Sequence, residues 1–212
     1  MRGVLITFEG VEGSGKSTQA DRLASYLRSR RYDVLLSREP GGTPIGEQVR
    51  DILLDPGNER MDGRTELFLY LASRNQHVRE TVLPALETGK VVILDRFADS
   101  SVAYQGGGRE LGAQVVTRLN KMATASLKPD LTVLVDVPVE VGQGRKDGSP
   151  LDRLEREKVD FHERVRQGYL KLARRAPKRC RIVDGTRPAD VLEPEIRNLA
   201  DEVLTRKGLS SA

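Results

Sequence analysis

The chain has 212 residues, 38% hydrophobic and 31% charged, with Lys+Arg 35 against Asp+Glu 31 and a net charge of +4. Periodic apolar blocks at that density exclude disorder and predict one domain over residues 1–212. The small, dispersed charge surplus does not suit a nucleic-acid coat protein, the single cysteine, Cys180, excludes an intrachain disulfide, and no apolar run reaches the ~18 residues of a membrane span. A soluble cytoplasmic protein that handles anions is expected, with no membrane or nucleic-acid partner.

The first element is the buried strand Val4–Phe8, followed by a glycine-rich turn over Gly10–Gly15. Ala20, Leu23, Ala24 and Leu27 fall at helical spacing and predict a helix there. A second strand at Val34–Leu36 runs into the breaker Arg38-Glu39-Pro40-Gly41-Gly42. Ile45, Val49, Ile52 and Leu53 mark a helix, and residues 65–87 a longer one that Pro84 bends or ends. Strands follow at Val91–Leu94, Leu131–Val135 and Arg181–Val183. Between them, Val115, Leu119 and Met122 predict one helix face, and Leu154–Arg174 a charged helix. Leu192, Ile196, Leu199 and Val203 close the chain as a last helix.

Short buried strands alternating with helices predict a three-layer α/β fold with a five-stranded parallel sheet and helices on both faces. In such sheets the ligand site lies beyond the carboxyl ends of the strands. Glu9, Glu39, Asp95, Asp136 and Asp184 follow or end strands and share that rim.

Gly10-Val11-Glu12-Gly13-Ser14-Gly15-Lys16-Ser17-Thr18 contains G-x-x-x-x-G-K-S between a predicted strand and helix. Glycines let successive backbone N–H groups turn around a phosphate, and the helix N-terminus adds about half a positive charge. Lys16 is placed for the β- and γ-phosphates of a nucleoside triphosphate. Ser17 and Asp95, the acid that ends the third strand, are the candidate Mg²⁺ ligands. Arg96, beside that acid, is a candidate phosphate clamp. His77 and His162 lie in charged helical stretches and are expected at the surface.

Four blocks then resemble the bacterial thymidylate kinase family. They are Phe8–Thr18; Arg38–Thr43 with Gly46, Glu47 and Arg50; Asp95–Gly106; and Leu151–Glu155. Their joint order and spacing are highly specific. The resemblance implies in-line transfer from ATP to dTMP, with Mg²⁺, in a homodimer. It implies that Arg38 and Arg96 hold the dTMP phosphate, and that Arg50 and Glu39 belong to the same site. It implies that Tyr70 and Arg74 meet the thymine, Ser101 and Gln105 its N3 edge, and Tyr104 the 2′ position of the sugar. Glu12 is implied to reach the sugar 3′-OH or a magnesium water, and the Glu39–Pro40 bond to be cis. Tyr70 departs from the family's usual Phe.

The loop carries no base between its glycines, and for such a loop the resemblance implies that a lid, here over 142–153, supplies the charge on the transferring phosphoryl. Arg145, Lys146 and Arg153 are the candidates, Arg153 matching best. The alternatives are another nucleoside monophosphate kinase, or a deoxynucleoside kinase using Glu39 as a base, on the same fold. A hydrolytic switch ATPase would need a water-positioning residue that no pattern supplies. The basic cluster from Lys171 to Arg181 lacks interleaved aromatics and reads as a solvated helix end.

Overall fold

Five strands, β1 Val4–Glu9, β2 Val34–Arg38, β3 Val91–Asp95, β4 Leu131–Asp136 and β5 Cys180–Asp184, form an all-parallel sheet in the order β2-β3-β1-β4-β5. The computed structural model describes residues 3–145, 148 and 150–209. Each strand expected from the sequence is present, extended by a residue or more at its carboxyl end.

Alternation along β1 explains the layers. Val4, Ile6 and Phe8 face one side, packed with α1 (Lys16–Ser29) and α9 (Ala189–Arg206). Leu5 faces the other side, as do Val92 and Leu94 of β3. On that side lie α3 (Gly63–His77), α4 (Leu83–Glu87), α5 (Ala98–Ser101), α6 (Ala113–Ala123) and α8 (Val159–Arg175). The remaining α-helices are α2 (Pro44–Leu54) and α7 (Val139–Gly144), and a 3₁₀ turn at Pro56–Asn58 and a π-helical segment at Val102–Gly108, which carries Tyr104 and Gln105, are also present. Glu9 shares parity with Leu5, so it points toward α5 and α8.

Three elements differ from the sequence reading. A π-helical turn at Val78–Val82 joins α3 to α4 just before Pro84, whose ring cannot donate and crowds the preceding turn. On α6 the buried residues are Val116, Asn120 and Ala123, while Val115 and Met122 are exposed. Asn120 turns inward because it bridges the Arg74 guanidinium and the Ala98 carbonyl. The charged helix α8 starts at Val159, not Leu154: Asp152 accepts the N–H groups of Leu154 and Glu155 and closes a separate turn first. Gly142–Gly144, the first residues of the expected lid, form the last turn of α7.

Candidate active site

β1 lies between β3 and β4, so the loop after it opens at the point where the strand order reverses. That loop turns through Gly10–Gly15 into α1, which begins at Lys16 with no acidic residue in its first turn and no side-chain cap. Its first N–H groups are therefore available to an anion. Gly13 adopts φ 68°, and a Cβ there would lie 1.9 Å from the Gly142 carbonyl oxygen of α7. The loop thus lies backbone against backbone on α7, and Ser14 Oγ is buried within it without a partner. Arg145, just after α7, donates to the Gly13 carbonyl at 3.4 Å.

Asp95 ends β3 directly beside Phe8 of β1. Ser17 Oγ donates to Asp95 Oδ2, while Asp95 Oδ1 is buried with no hydrogen-bond partner. One carboxylate with an unfilled oxygen and one hydroxyl suit Mg²⁺, which keeps waters and takes substrate phosphates rather than an all-protein cage. Among the described residues no cluster of three or more His, Cys, Asp or Glu offers another metal site.

Arg96 follows, in the left-handed region at φ 71°, with its N–H on the Phe8 carbonyl at 2.9 Å. An arginine in that region costs on the order of 1 kcal/mol, which the surrounding contacts must offset. Its Nη1 donates to the Gly10 carbonyl at 3.1 Å and to the Tyr169 hydroxyl at 3.0 Å. Its Nη2 meets Glu12 and the Tyr104 hydroxyl, the latter at 3.1 Å. Burial opposes its charge, but Glu12 and the facing tyrosine hydroxyls outweigh this and raise its pKa. Lys16 Nζ lies 3.7 Å from the same Glu12 carboxylate.

One cavity receives these groups. Glu12, Lys16, Ser17, Asp95 and Arg96 line it together with Arg38, Glu39, Arg50, Tyr70, Ser101, Tyr104 and Gln105. Arg38 reaches it from the end of β2 and is braced by Glu47 at 2.9 Å. Arg50 donates to the Pro40 carbonyl at 2.9 Å, behind a cis Glu39–Pro40 bond. The phenol of Tyr104 is buried against Phe161 and Tyr169, and burial raises its pKa, as it does for Tyr70.

The structure departs from the sequence-based site at several residues. Arg74 does not line the cavity; it is 1% exposed, beneath the wall, and donates to Glu39 at 2.6 Å, Ser101 at 2.7 Å and Asn120 at 2.8 Å. Arg153 does not face the phosphate loop either. It is buried, with Nη1 2.8 Å from Glu66 and Nε on the Leu53 carbonyl at 2.8 Å. Lys146 lies outside the described residues. Both histidines are buried, against expectation. His77 sits between Glu39 at 3.1 Å and Ser37 at 2.9 Å, and His162 packs edge-on against Phe161. Glu39, held by Arg74 and His77, is engaged as an anion partner and is not a ready base.

Two acids are more central than sequence reasoning showed. Glu9 accepts from Phe97 N at 2.9 Å, Ser100 Oγ at 2.5 Å and the Tyr169 hydroxyl at 3.0 Å. Burial foremost, with the Asp99 charge, raises its pKa to about 7. Glu66 is fully buried; burial would raise its pKa, but Arg109, Gln105 and Arg153 outweigh it and hold it below the usual carboxylate range. The only sequence signal for Glu66 was its position one helical turn before Tyr70.

Comparison with known proteins agrees with this geometry. A family model described as thymidylate kinase matches residues 8–196. A thymidylate kinase of Symbiobacterium thermophilum is 48% identical over 204 residues, covering 96% of this chain and 95% of that protein. One of Desulforudis audaxviator is 53% identical, covering 90% and 87%. A crystal structure of thymidylate kinase from Ehrlichia chaffeensis superposes with TM-score 0.78 at 33% identity, covering 95% of this chain and 99% of that one. With a phosphate loop, a paired Ser–Asp and two arginines around one cavity, and with relatives matched over nearly the full length, the chain belongs to the thymidylate kinase family.

Proposed function

We propose that one cavity holds two nucleotides end to end: ATP on the loop Gly10–Thr18 and dTMP against Arg38 and Arg96. As a member of its family the chain is an ATP-dependent phosphotransferase that converts dTMP into dTDP. One observation carries the assignment of roles. Lys16, Ser17 and Asp95 line the same cavity as Arg38, Arg96, Tyr70 and Gln105.

The acceptor is a phosphate oxygen that is already anionic at neutral pH, so the reaction needs no general base. This fits the engagement of Glu39 with both Arg74 and His77. The barrier lies in bringing two polyanions into line. Lys16, Arg96 and Arg38 offset their repulsion and stabilise charge on the moving phosphoryl. Mg²⁺ held by Ser17 and Asp95 would neutralise further charge on the phosphates. Arg145, already on the loop at Gly13, is the better placed described lid base. Glu12, between Lys16 and Arg96, keeps both cations directed at the gap and faces the acceptor sugar. Tyr70 offers its ring face to the base, and Tyr104 closes the 2′ side of the sugar.

The outer faces of α2, α3 and α6 expose Ile45, Ile52, Phe68, Val115 and Met122. These helices pack side by side, and an apolar face of this kind suits a symmetric homodimer. No described helix is long and apolar enough to cross a membrane. Cys180 is a buried thiol, pushed up to about 12 by burial, which suits a reducing cytosol. We read residues 1–212 as one kinase domain.

The test is a coupled assay with ATP and Mg²⁺ over dTMP, dUMP, dCMP, UMP and AMP. Preference for dTMP is expected; robust ATP turnover without any acceptor would contradict the reading.

A further inference from the structure

Gln105 is 1% exposed, and its side chain lies on the wall of the cavity beside Ser101. Its amide nitrogen, Nε2, donates to Glu66 Oε1 at 2.9 Å. Glu66 also receives Arg109 at 2.9 Å and Arg153 at 2.8 Å. Between two guanidinium groups Glu66 is a carboxylate, which can only accept. An amide facing a carboxylate must present its NH₂, because its carbonyl would set lone pair against lone pair. The orientation of Gln105 is therefore fixed by chemistry, and its carbonyl, Oε1, is left for the cavity as an acceptor. Nothing among the described residues donates to that oxygen.

The same reasoning applies at Ser101. Arg74 Nη1 donates to Ser101 Oγ at 2.7 Å. A guanidinium has no acceptor, so the hydroxyl keeps its own proton to give. The wall thus offers a donor at Ser101 and an acceptor at Gln105, each polarity imposed from behind by a buried charge.

We propose that Glu66 is a positioning residue that sets the donor–acceptor polarity of the base subsite through Gln105. This wall then takes a pyrimidine with an N3–H and a carbonyl beside it, and rejects one with a bare N3 and an amino group. The inference rests on the reading that the dTMP base lies against this wall. Thymine and uracil carry the accepted pattern, and cytosine the inverse one. A buried polar group left facing its own kind costs more than a missing contact, so the discrimination is expected to be steep.

The test is Glu66→Gln, which is nearly isosteric but can donate or accept. Gln105 can then turn its NH₂ into the cavity. The measured quantity is kcat/KM for dTMP, dUMP and dCMP. The dTMP:dCMP ratio is expected to fall about tenfold or more, while dTMP:dUMP, both with N3–H, stays as in the wild type. A purely structural role would lower all three together, and an unchanged dTMP:dCMP ratio would overturn the proposal. Should the variant not fold, Glu66→Asp carries the test, since it keeps the charge but withdraws the carboxylate from Gln105 by one methylene. A fall of about tenfold in the dTMP:dCMP ratio with dTMP:dUMP held supports the proposal, and unchanged ratios overturn it. Failure of the underlying reading looks different: the wild-type enzyme would then show no preference for dTMP at all.

Discussion

Arg96 and Glu12 form an ion pair across the mouth of the phosphate loop, joining the residue after β3 to the loop after β1. The pair sets a cation and an anion side by side in the wall of the cavity that Lys16, Ser17 and Asp95 also line. Arg96 is braced further by Gly10, Tyr104 and Tyr169, so its guanidinium is set in place before substrate arrives.

Arg96→Ala should therefore lower kcat/KM for dTMP by about a thousandfold while leaving ATP on the loop, since charge stabilisation in transfer is lost but the α1 N-terminus is not. Steady-state kinetics and the Kd of a non-hydrolysable ATP analogue check this. Full activity in the variant would contradict the clamp.

Ser17→Ala and Asp95→Asn should each raise the Mg²⁺ concentration needed for half-maximal rate by about tenfold or more, because the ion loses a direct or oriented ligand. A magnesium titration at saturating ATP measures it. An unmoved midpoint would assign the ion elsewhere.

Glu9 gives a pH dependence with a definite sign. Its pKa in the folded protein, about 7, lies above its ordinary 4.5. Between those values the folded state holds the proton and the unfolded state does not, so this group's contribution to stability falls as pH rises through that window. Glu9→Gln should remove this part of the slope, a change on the order of 2 kcal/mol between the two ends. Urea unfolding of both proteins at pH 5 and at pH 7.5 measures it; parallel slopes would refute the assignment.

The two lid arginines should separate. Arg153→Ala leaves a gap beside buried Glu66 and should lower stability by about 3 kcal/mol. Arg145→Ala, at an exposed side chain on the loop, should lower kcat with little change in unfolding midpoint. Equal losses of kcat with no loss of stability in either variant would contradict this division.

Tyr104→Ala should bring the kcat/KM values of dTMP and its ribose counterpart together by about tenfold or more, because the ring no longer crowds the 2′ position. If the parent enzyme used both at comparable rates, that role would be lost.

Much of this was legible in the sequence. The three central strands, β1, β3 and β4, are short apolar runs buried on both faces, as strands inside a parallel sheet covered by helices are, while the edge strands β2 and β5 are partly exposed. The phosphate loop is a local motif whose glycines and lysine act through backbone geometry. What stayed hidden depends on partners brought from far along the chain. Arg153 and Glu66 are 87 positions apart, and neither residue alone signals that the other will draw it inside. His77 is buried because Glu39 and Ser37 satisfy both ring nitrogens. The face of α6 shifted by one position because Asn120 serves Arg74, a polar demand that apolar periodicity does not register.

The most direct measurement is a crystal structure of the enzyme with dTMP and a non-hydrolysable ATP analogue bound together with Mg²⁺. The account predicts the dTMP phosphate between Arg38 and Arg96, in line with the terminal phosphate on Lys16. A dTMP phosphate seated away from both arginines, or turned from the terminal phosphate, would contradict it.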